Sequence, residues 1–455
     1  MSRLLISAAH KSSGKTTLTV GLCAALAERG IAVQPFKKGP DYIDPMWLGQ
    51  AAGRPCHNLD FYNMSHEEIL TTTGHYSAAA DIALIEGNKG LYDGLDLNGS
   101  NSNAALAKLL QTPVILVLDA RGMTRGIAPL ILGYQAFDPE ICIAGVILNQ
   151  LGGSRHEAKL RAVIEHYTDV PVVGGVQRDK SLEIIERHLG LIPSNEETAA
   201  QDKIRQIRDL IKAQVDLDQV LDIAGETALD FEPLPVALHA TGPAVRIGIA
   251  RDAAFGFYYP DDLDALQRAG AKLVAFNTLR DRALPDVDAL FIGGGFPESH
   301  MQALEDNSEL RTSIRQAIEK GLPAYAECGG LMYLARSLRW KGRQNEMVGV
   351  IPADVIMHER PQGRGYVRLQ ETGESPWPGD PQQKEFSAHE FHYSSLDNIS
   401  NPLKFAYAVK RGTGIDGEND GIVINRLLAC YSHMRDTKQH RWAQRFVEFI
   451  RKSMD

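Results

Sequence analysis

No apolar stretch of this sequence approaches the roughly 18 residues that a membrane-spanning helix needs, so a soluble chain without a membrane partner is expected. The first apolar run, Leu4-Leu5-Ile6-Ser7-Ala8, is too short for a signal peptide and leads straight into a loop of small residues, so it reads as structure. Cysteine is scarce. Cys23, Cys56, Cys142, Cys328 and Cys430 are scattered and odd in number, with no C-x-x-C pair among them. That pattern excludes a disulfide scaffold, gives no hint of zinc, and suits a reducing cytoplasm. Positive charge is in deficit, at a net −9, which argues against a nucleic-acid partner while leaving local basic clusters free to meet a small anion. What remains is an ordinary globular composition, 44% hydrophobic and 23% charged, over 455 residues, enough for two or three domains.

The first positive signal is Ala9-His10-Lys11-Ser12-Ser13-Gly14-Lys15-Thr16-Thr17, between the apolar run and an amphipathic segment, Leu18 to Arg29. A strand, a small-residue loop and a helix opening on Gly-Lys-Thr cradle phosphates. Backbone N–H groups and the helix N-terminus face the anion, Lys15 adds charge, and a Thr hydroxyl reaches Mg²⁺. Ala9 stands where the Walker pattern has its first glycine. Up to about residue 195, short apolar strands (Leu4–Ala8, Ile82–Ile85, Val114–Leu118, Ile143–Leu148, Val170–Val173) alternate with helical periodicity, which predicts a largely parallel sheet. Ligands of such sheets sit at the strand carboxyl ends. Those ends carry Lys37, Lys38, Asp41 and Asp44 in one loop, Glu86 and Asp93 in a second, then Asp119 and Arg121, then Asn149 and Gln150.

Residues 196 to about 225 look helical, with Ile204, Ile207, Leu210, Ile211 and Val215 roughly on one face. A proline-bearing stretch, Phe231 to Pro243, reads as a linker, dividing the chain into 1–195, a helical segment and linker at 196–243, and 244–455. The second half restarts as β/α. Strands are expected at Val245–Ala250, Lys272–Phe276 and Ala289–Ile292, with helices at Asp261–Ala269 and near Ser299–Lys320. In Leu322-Pro323-Ala324-Tyr325-Ala326-Glu327-Cys328-Gly329-Gly330 a strand turns abruptly into a helix with Cys328 at the bend. This resembles a nucleophile elbow, where the following N–H groups and the helix N-terminus can stabilise thiolate and oxyanion. A cysteine nucleophile needs a base; His433, after the strand-like Leu427–Tyr431, is the choice, with His389 and His392 as competitors.

Five motifs in order carry a resemblance: Ser-Ser-Gly-Lys-Thr-Thr at 12–17, Gly-Pro-Asp-Tyr-Ile-Asp-Pro at 39–45, Glu86-Gly87 with Gly90-Leu91-Tyr92-Asp93-Gly94, Glu327-Cys328-Gly329-Gly330, and His389-Glu390-Phe391-His392-Tyr393. Over nearly its whole length the chain resembles the glutamine-dependent cobyrinate (or hydrogenobyrinate) a,c-diamide synthases. The resemblance implies an α/β protein: an N-terminal P-loop, dethiobiotin-synthetase-like parallel-sheet domain and a C-terminal class I glutamine amidotransferase α/β domain. It implies Cys328 as glutaminase nucleophile and His433 as its base, with Gly294 and Gly329 as oxyanion donors. Ser13, Gly14, Lys15, Thr16 and Thr17 are implied to bind ATP, with Asn149 at the adenine-reading position. Thr16, Asp41 and Glu86 would hold Mg²⁺, and Asp41, Tyr42, Asp44, Glu86, Lys89 and Asp93 would handle substrate and its activation. Position 435, where triad-type amidotransferases often carry an acid, is Arg435. The implied partners are ATP, glutamine and a polycarboxylate tetrapyrrole, and a homodimer is left open.

The chemistry binds these parts together. A carboxylate is activated by the ATP γ-phosphoryl group, and the acyl phosphate is then attacked by ammonia that Cys328 releases from glutamine, along a sheltered path. Lys37, Lys38, Lys89, Arg54 and Arg121 suit a polycarboxylate macrocycle as anion partners. Gly87-Asn88-Lys89-Gly90, where the cobyrinate enzymes carry apolar residues before the second glycine, departs from the family pattern, as do Lys38, Trp47 and Ala388. These departures point to a branch acting on sirohaem or Ni-sirohydrochlorin, with neutral drift as the alternative. A partitioning or regulatory ATPase would account for the first half but leaves Cys328 without a purpose, and Lys11 lies one place off that class's signature lysine.

Overall fold

The computed structural model describes residues 2–179, 186–187, 190–191, 193–195, 200–225, 242–379 and 385–454. The chain divides into two units, Met1–Pro235 and Val236–Asp455.

In the first unit the β/α alternation produces β1 (Ser2–Ala8), α1 (Lys15–Glu28), β2 (Val33–Lys38), α2 (Ile43–Ala52), β3 (His57–Leu59), α3 (His66–Ser77), β4 (Ile82–Glu86), α4 (Asn103–Leu110), β5 (Val114–Asp119), α5 (Ile127–Phe137), β6 (Ile143–Leu151), α6 (Ser154–Tyr167) and β7 (Val172–Gln177). The last strand starts at Val172, not Val170, because Pro171 lacks the N–H of a ladder residue and only its carbonyl pairs, with Val146. The sheet is parallel, in the order β3-β2-β4-β1-β5-β6-β7. Its strands are apolar almost throughout because helices cover both faces. From β1 the chain crosses to β2 and β3, returns to β4 beside β1, and then runs outward through β5, β6 and β7, so the crevice beyond the carboxyl ends of β1 and β4 is the switch point at which such sheets bind ligands.

A two-stranded pair, β8 (Glu186–Arg187) and β9 (Gly190–Leu191), precedes two helices, α7 (Ala200–Gln214) and α8 (Leu217–Gly225). The expected single helix is broken at Asp216, whose carboxylate accepts from the N–H groups of Asp218 and Gln219 and starts a new helix. Ile204, Ile207 and Ile211 are buried, and a Cβ at Gly21 of α1 would come within 2.3 Å of Ile211, so α7 packs directly on α1. Of the expected linker, 231–241 lie outside the described residues.

The second unit contains β10 (Val245–Ala250), β11 (Phe255–Phe257), α9 (Pro260–Arg268), β12 (Ala271–Phe276), β13 (Ala289–Ile292), β14 (Gly294–Gly295), α10 (Met301–Asp306), α11 (Ser308–Glu319), β15 (Ala324–Glu327) and α12 (Gly329–Leu334). The helix expected across Ser299–Lys320 is interrupted at Asn307, whose side-chain amide donates to the carbonyls of Thr278 and Asp281, both at 2.8 Å, and fixes a break there. Next come β16 (Ala335–Trp340), β17 (Arg343–Glu346), β18 (Ile351–Met357), β19 (Gly363–Glu371), β20 (Glu385–His392), β21 (Ser394–Asp397), β22 (Lys404–Arg411), β23 (Asn419–Ile424), β24 (Leu427–Cys430) and α13 (Trp442–Met454).

One mixed sheet orders these strands β12-β10-β13-β15-β24-β23-β22-β19-β20, parallel as far as β24 and antiparallel beyond. Apolar clusters fill both of its faces, one around Leu331 and Tyr333, the other around Tyr325 and Trp442. Among the described residues no helix is long and apolar enough to cross a membrane.

Candidate functional site

Two sites emerge, one in each unit. In the first, β1 ends at Ala8 and the chain turns through 9–14 into α1, with Gly14 at φ +85° as N-cap. That left-handed conformation favours glycine, and a Cβ there would come within 2.2 Å of the Asn149 amide nitrogen. Asn149 donates at 2.8 Å to the carbonyl of Ser13, so the residue expected to read adenine spends this N–H on the loop backbone. Ser13 is buried and its hydroxyl donates to the His10 carbonyl at 2.8 Å. Thr17 lies half-buried in the first turn of α1.

The facing loop, 87–94, is stitched to this one. Gly87 N–H donates to Ile6 at 2.9 Å, Leu91 N–H to Ala8 at 2.8 Å, and Lys15 Nζ to the Lys89 carbonyl at 2.6 Å. A Cβ at Gly90 would come within 2.7 Å of the Ala9 carbonyl, which also accepts from the Tyr134 hydroxyl at 2.5 Å. Asp93 holds the turn by accepting from Gly90 N–H at 2.8 Å. Lys89 itself is exposed, at φ +39°.

Parallel pairing sets Lys37 of β2 beside Glu86 of β4. Lys37 Nζ lies 2.5 Å from Glu86 Oε1, 2.5 Å from Asp44 Oδ2 and 3.8 Å from Asp41 Oδ2. Thr16 Oγ1 donates to Glu86 at 2.9 Å and to Asp44 at 3.2 Å. Asp41 turns the chain into α2, its Oδ1 accepting from Ile43 and Asp44 N–H, and Tyr42 stands at the N-terminus of that helix.

Lys37 is therefore the hub of a carboxylate cluster. This corrects its expected role as a partner of a macrocycle, because a 3% exposed ammonium held by three acids has no charge left to offer. Although burial works against its charge, the three carboxylates raise Lys37 well above its ordinary value. Burial raises Glu86, and burial with the neighbouring Asp44 pushes Asp41 up to about 7. Lys15 falls to about 8, through burial and then the nearby Lys37. Arg121 is exposed and grips Asp119 with a 2.5 Å contact.

Among the described residues no three His, Cys, Asp or Glu side chains gather closely enough to hold a metal alone. Of the expected Mg²⁺ set of Thr16, Asp41 and Glu86, Thr16 meets Glu86 and, beside it, Asp44 rather than Asp41; these oxygens suit Mg²⁺, and Glu86 Oε2 is buried without a hydrogen bond.

In the second unit β15 ends at Glu327, and Cys328 takes φ +45° and ψ −100° before α12 begins. Cys328 N–H donates to Cys430 at 2.7 Å, tying the bend to β24. Glycines make the bend feasible: a Cβ at Gly330 would fall 2.0 Å from the Ile292 carbonyl, and one at Gly329 2.9 Å from the backbone of Gly295. A Cβ at Gly294 would come within 2.8 Å of the His433 ring, so both expected oxyanion residues border the Cys–His pair.

His433 lies beside Cys328 and its Nδ1 is 3.3 Å from Glu327 Oε2, while the Cys328 thiol donates to the Phe391 carbonyl at 4.0 Å. Burial opposes its protonation, but Cys328 and Glu327 together raise it to about 10. His389 stacks on His433 at 4.9 Å and is pushed well below its ordinary value by burial, then by His433 and Arg435. His392 stacks on Tyr431 and its Nε2 lies 3.6 Å from Glu390. Of the three histidines considered, His433 is the one placed on the sulfur. Glu327 was legible only as part of a motif; its contact with a histidine 106 residues away left no local trace.

Two family descriptions match the chain: a CobQ/CobB/MinD/ParA nucleotide binding domain over residues 5–192 and a CobB/CobQ-like glutamine amidotransferase domain over 246–439. The cobyrinate a,c-diamide synthase of Magnetococcus marinus is 45% identical, covering 99% of this chain and 97% of its own. That of Methanosarcina acetivorans is 43% identical over 98% and 95%, and that of Archaeoglobus fulgidus 40% over 98% and 97%.

Proposed function

We propose, for a chain that belongs to the cobyrinate a,c-diamide synthase family of glutamine-dependent carbon–nitrogen ligases, that it amidates the a and c acetate carboxylates of a modified tetrapyrrole such as cobyrinate at the expense of ATP. The observation that carries the reading is the presence, in one chain, of a phosphate loop whose Thr16 meets Glu86 and Asp44 and of a cysteine elbow whose sulfur meets His433.

In the first unit, Gly14, Lys15 and the N-terminus of α1 bind the ATP phosphates. Lys15 leaves the Lys89 carbonyl to do so, and its charge favours the γ-phosphoryl group as a substrate carboxylate oxygen attacks it. Thr16, Asp44 and Glu86 would hold Mg²⁺, which when bound neutralises phosphate charge. The products are ADP and an acyl phosphate; ammonia then displaces phosphate to give the amide.

In the second unit, the Cys328 sulfur, its proton already passed to His433, attacks the glutamine side-chain carbon. His433 returns that proton to the departing ammonia, and water hydrolyses the thioester to glutamate. The backbone N–H groups at Gly294 and Gly329, residues that border the Cys–His pair, are assigned as the oxyanion donors.

A second reading, amidation of sirohaem or Ni-sirohydrochlorin, is favoured by the buried Lys38 and its partner Asn88, both departures from the family pattern. Assays of glutamine-dependent ATP hydrolysis with cobyrinate, sirohaem and Ni-sirohydrochlorin, with the mass shift per amide read by mass spectrometry, decide between them. Cys328→Ser should abolish glutamine-dependent amidation and keep the ammonium-dependent reaction. No turnover of any of the three tetrapyrroles would overturn the proposal.

A further inference from the structure

A histidine that takes a proton from sulfur must present a bare Nε2 to it, which requires the other ring nitrogen to carry its proton and donate it to a fixed acceptor. Triad-type amidotransferases often draw that acceptor from position 435, which here is an arginine pointing elsewhere. Arg435 pairs with Asp261 at 2.5 Å and lies over the Tyr259 ring at 4.4 Å.

The geometry points to Glu327, the residue immediately before the nucleophile, as the positioning acid of the glutaminase, relocated from the strand after His433 to the strand before Cys328. Its Oε2 lies 3.3 Å from His433 Nδ1, which assigns the other ring nitrogen, Nε2, to Cys328. Its other oxygen is pinned twice, by the Tyr325 hydroxyl at 2.5 Å and by Met434 N–H at 3.0 Å. Tyr325 and Glu327 share one face of β15, as residues two apart on a strand do, and β15 pairs with β24 so that Glu327 stands beside Cys430, three residues before His433. The strained bend at Cys328 lets two consecutive residues touch one imidazole from different sides. His389 closes the arrangement, stacked on His433 and exchanging two backbone hydrogen bonds with it, at 2.7 and 3.2 Å. The inference rests on the glutaminase reading of Cys328.

Glu327→Gln is a discriminating variant. The Tyr325 hydroxyl and Met434 N–H both donate, so they hold the amide oxygen of the new side chain and turn its NH₂ toward His433 Nδ1. That forces the proton onto Nε2, the wrong nitrogen. Glutamine hydrolysis should fall by roughly 10²- to 10⁴-fold, the scale seen when a triad acid is made an amide. Ammonium-dependent amidation should stay unchanged. The pH profile of Cys328 alkylation by iodoacetamide should shift relative to that of the wild type. Glu327→Asp, which keeps the charge, should recover part of the glutaminase rate. Retention of wild-type glutaminase and alkylation profiles by Glu327→Gln would overturn the assignment, as would equal loss with both nitrogen sources. Failure of the underlying reading looks different: glutamine-dependent turnover would then survive Cys328→Ser.

Discussion

Lys38 Nζ donates to Asn88 Oδ1 at 3.1 Å, joining the end of β2 to the loop after β4. Both side chains belong to the loops that should face substrate, and Lys38 is buried with a single neutral acceptor for its three N–H groups. An ammonium so placed is suited to an incoming carboxylate. Lys38→Met should raise the KM for the tetrapyrrole roughly 10- to 100-fold, the equivalent of one charge-assisted hydrogen bond, and leave those for ATP and glutamine unchanged. Steady-state kinetics with each substrate varied in turn checks this.

The same lysine sets a pH dependence. Burial, partly offset by Asp60 and reinforced by Lys89 and Lys37, brings Lys38 down to about 8. The ammonium that attracts a carboxylate is present below that value and lost above it. The KM for the tetrapyrrole should therefore rise between pH 7 and 9 in the wild type and stay flat in Lys38→Met.

Removing the hub of the carboxylate cluster exposes its repulsions. Lys37→Met leaves Asp41, Asp44 and Glu86 without their buried cation, a loss on the scale of about 3–5 kcal/mol. Thermal denaturation should show a lowered Tm that millimolar Mg²⁺ partly restores, with a larger Mg²⁺-induced shift than the wild type shows.

Gly294→Ala introduces a methyl group 2.8 Å from His433 Cε1 and must displace the ring. A base moved by a fraction of an ångström should cost up to roughly 100-fold in glutaminase rate. Amidation with ammonium as nitrogen source should be untouched.

The phosphate loop and the cysteine elbow were legible because each is a local grammar, strand, tight glycine-bearing turn and helix, written in consecutive residues. The hub role of Lys37 was not. In the sequence it is one of two adjacent lysines, yet successive residues of a strand point to opposite faces, sending Lys37 to Glu86 and Lys38 to Asn88. The antiparallel half of the second sheet also escaped reading. Its strands, such as β19 and β22, are interrupted by irregular register near Arg368 and carry no clean alternation. Glu327 needed β15 and β24 to be neighbours before its partner could be known.

Ala9, which breaks the expected glycine pattern, is tolerated because the close approach falls on the opposite strand-end loop, at Gly90. Gly90→Ala should weaken nucleotide binding sharply while Ala9→Gly changes it little, as equilibrium titration with a fluorescent ATP analogue would show.

The loop 87–94 is stitched to the end of β1 at Ile6 and Ala8 and to the start of α1 through the Lys15–Lys89 bond. If Lys15 turns to a phosphate it must release the Lys89 carbonyl, so a single hydrogen bond joins the nucleotide loop to the loop after β4.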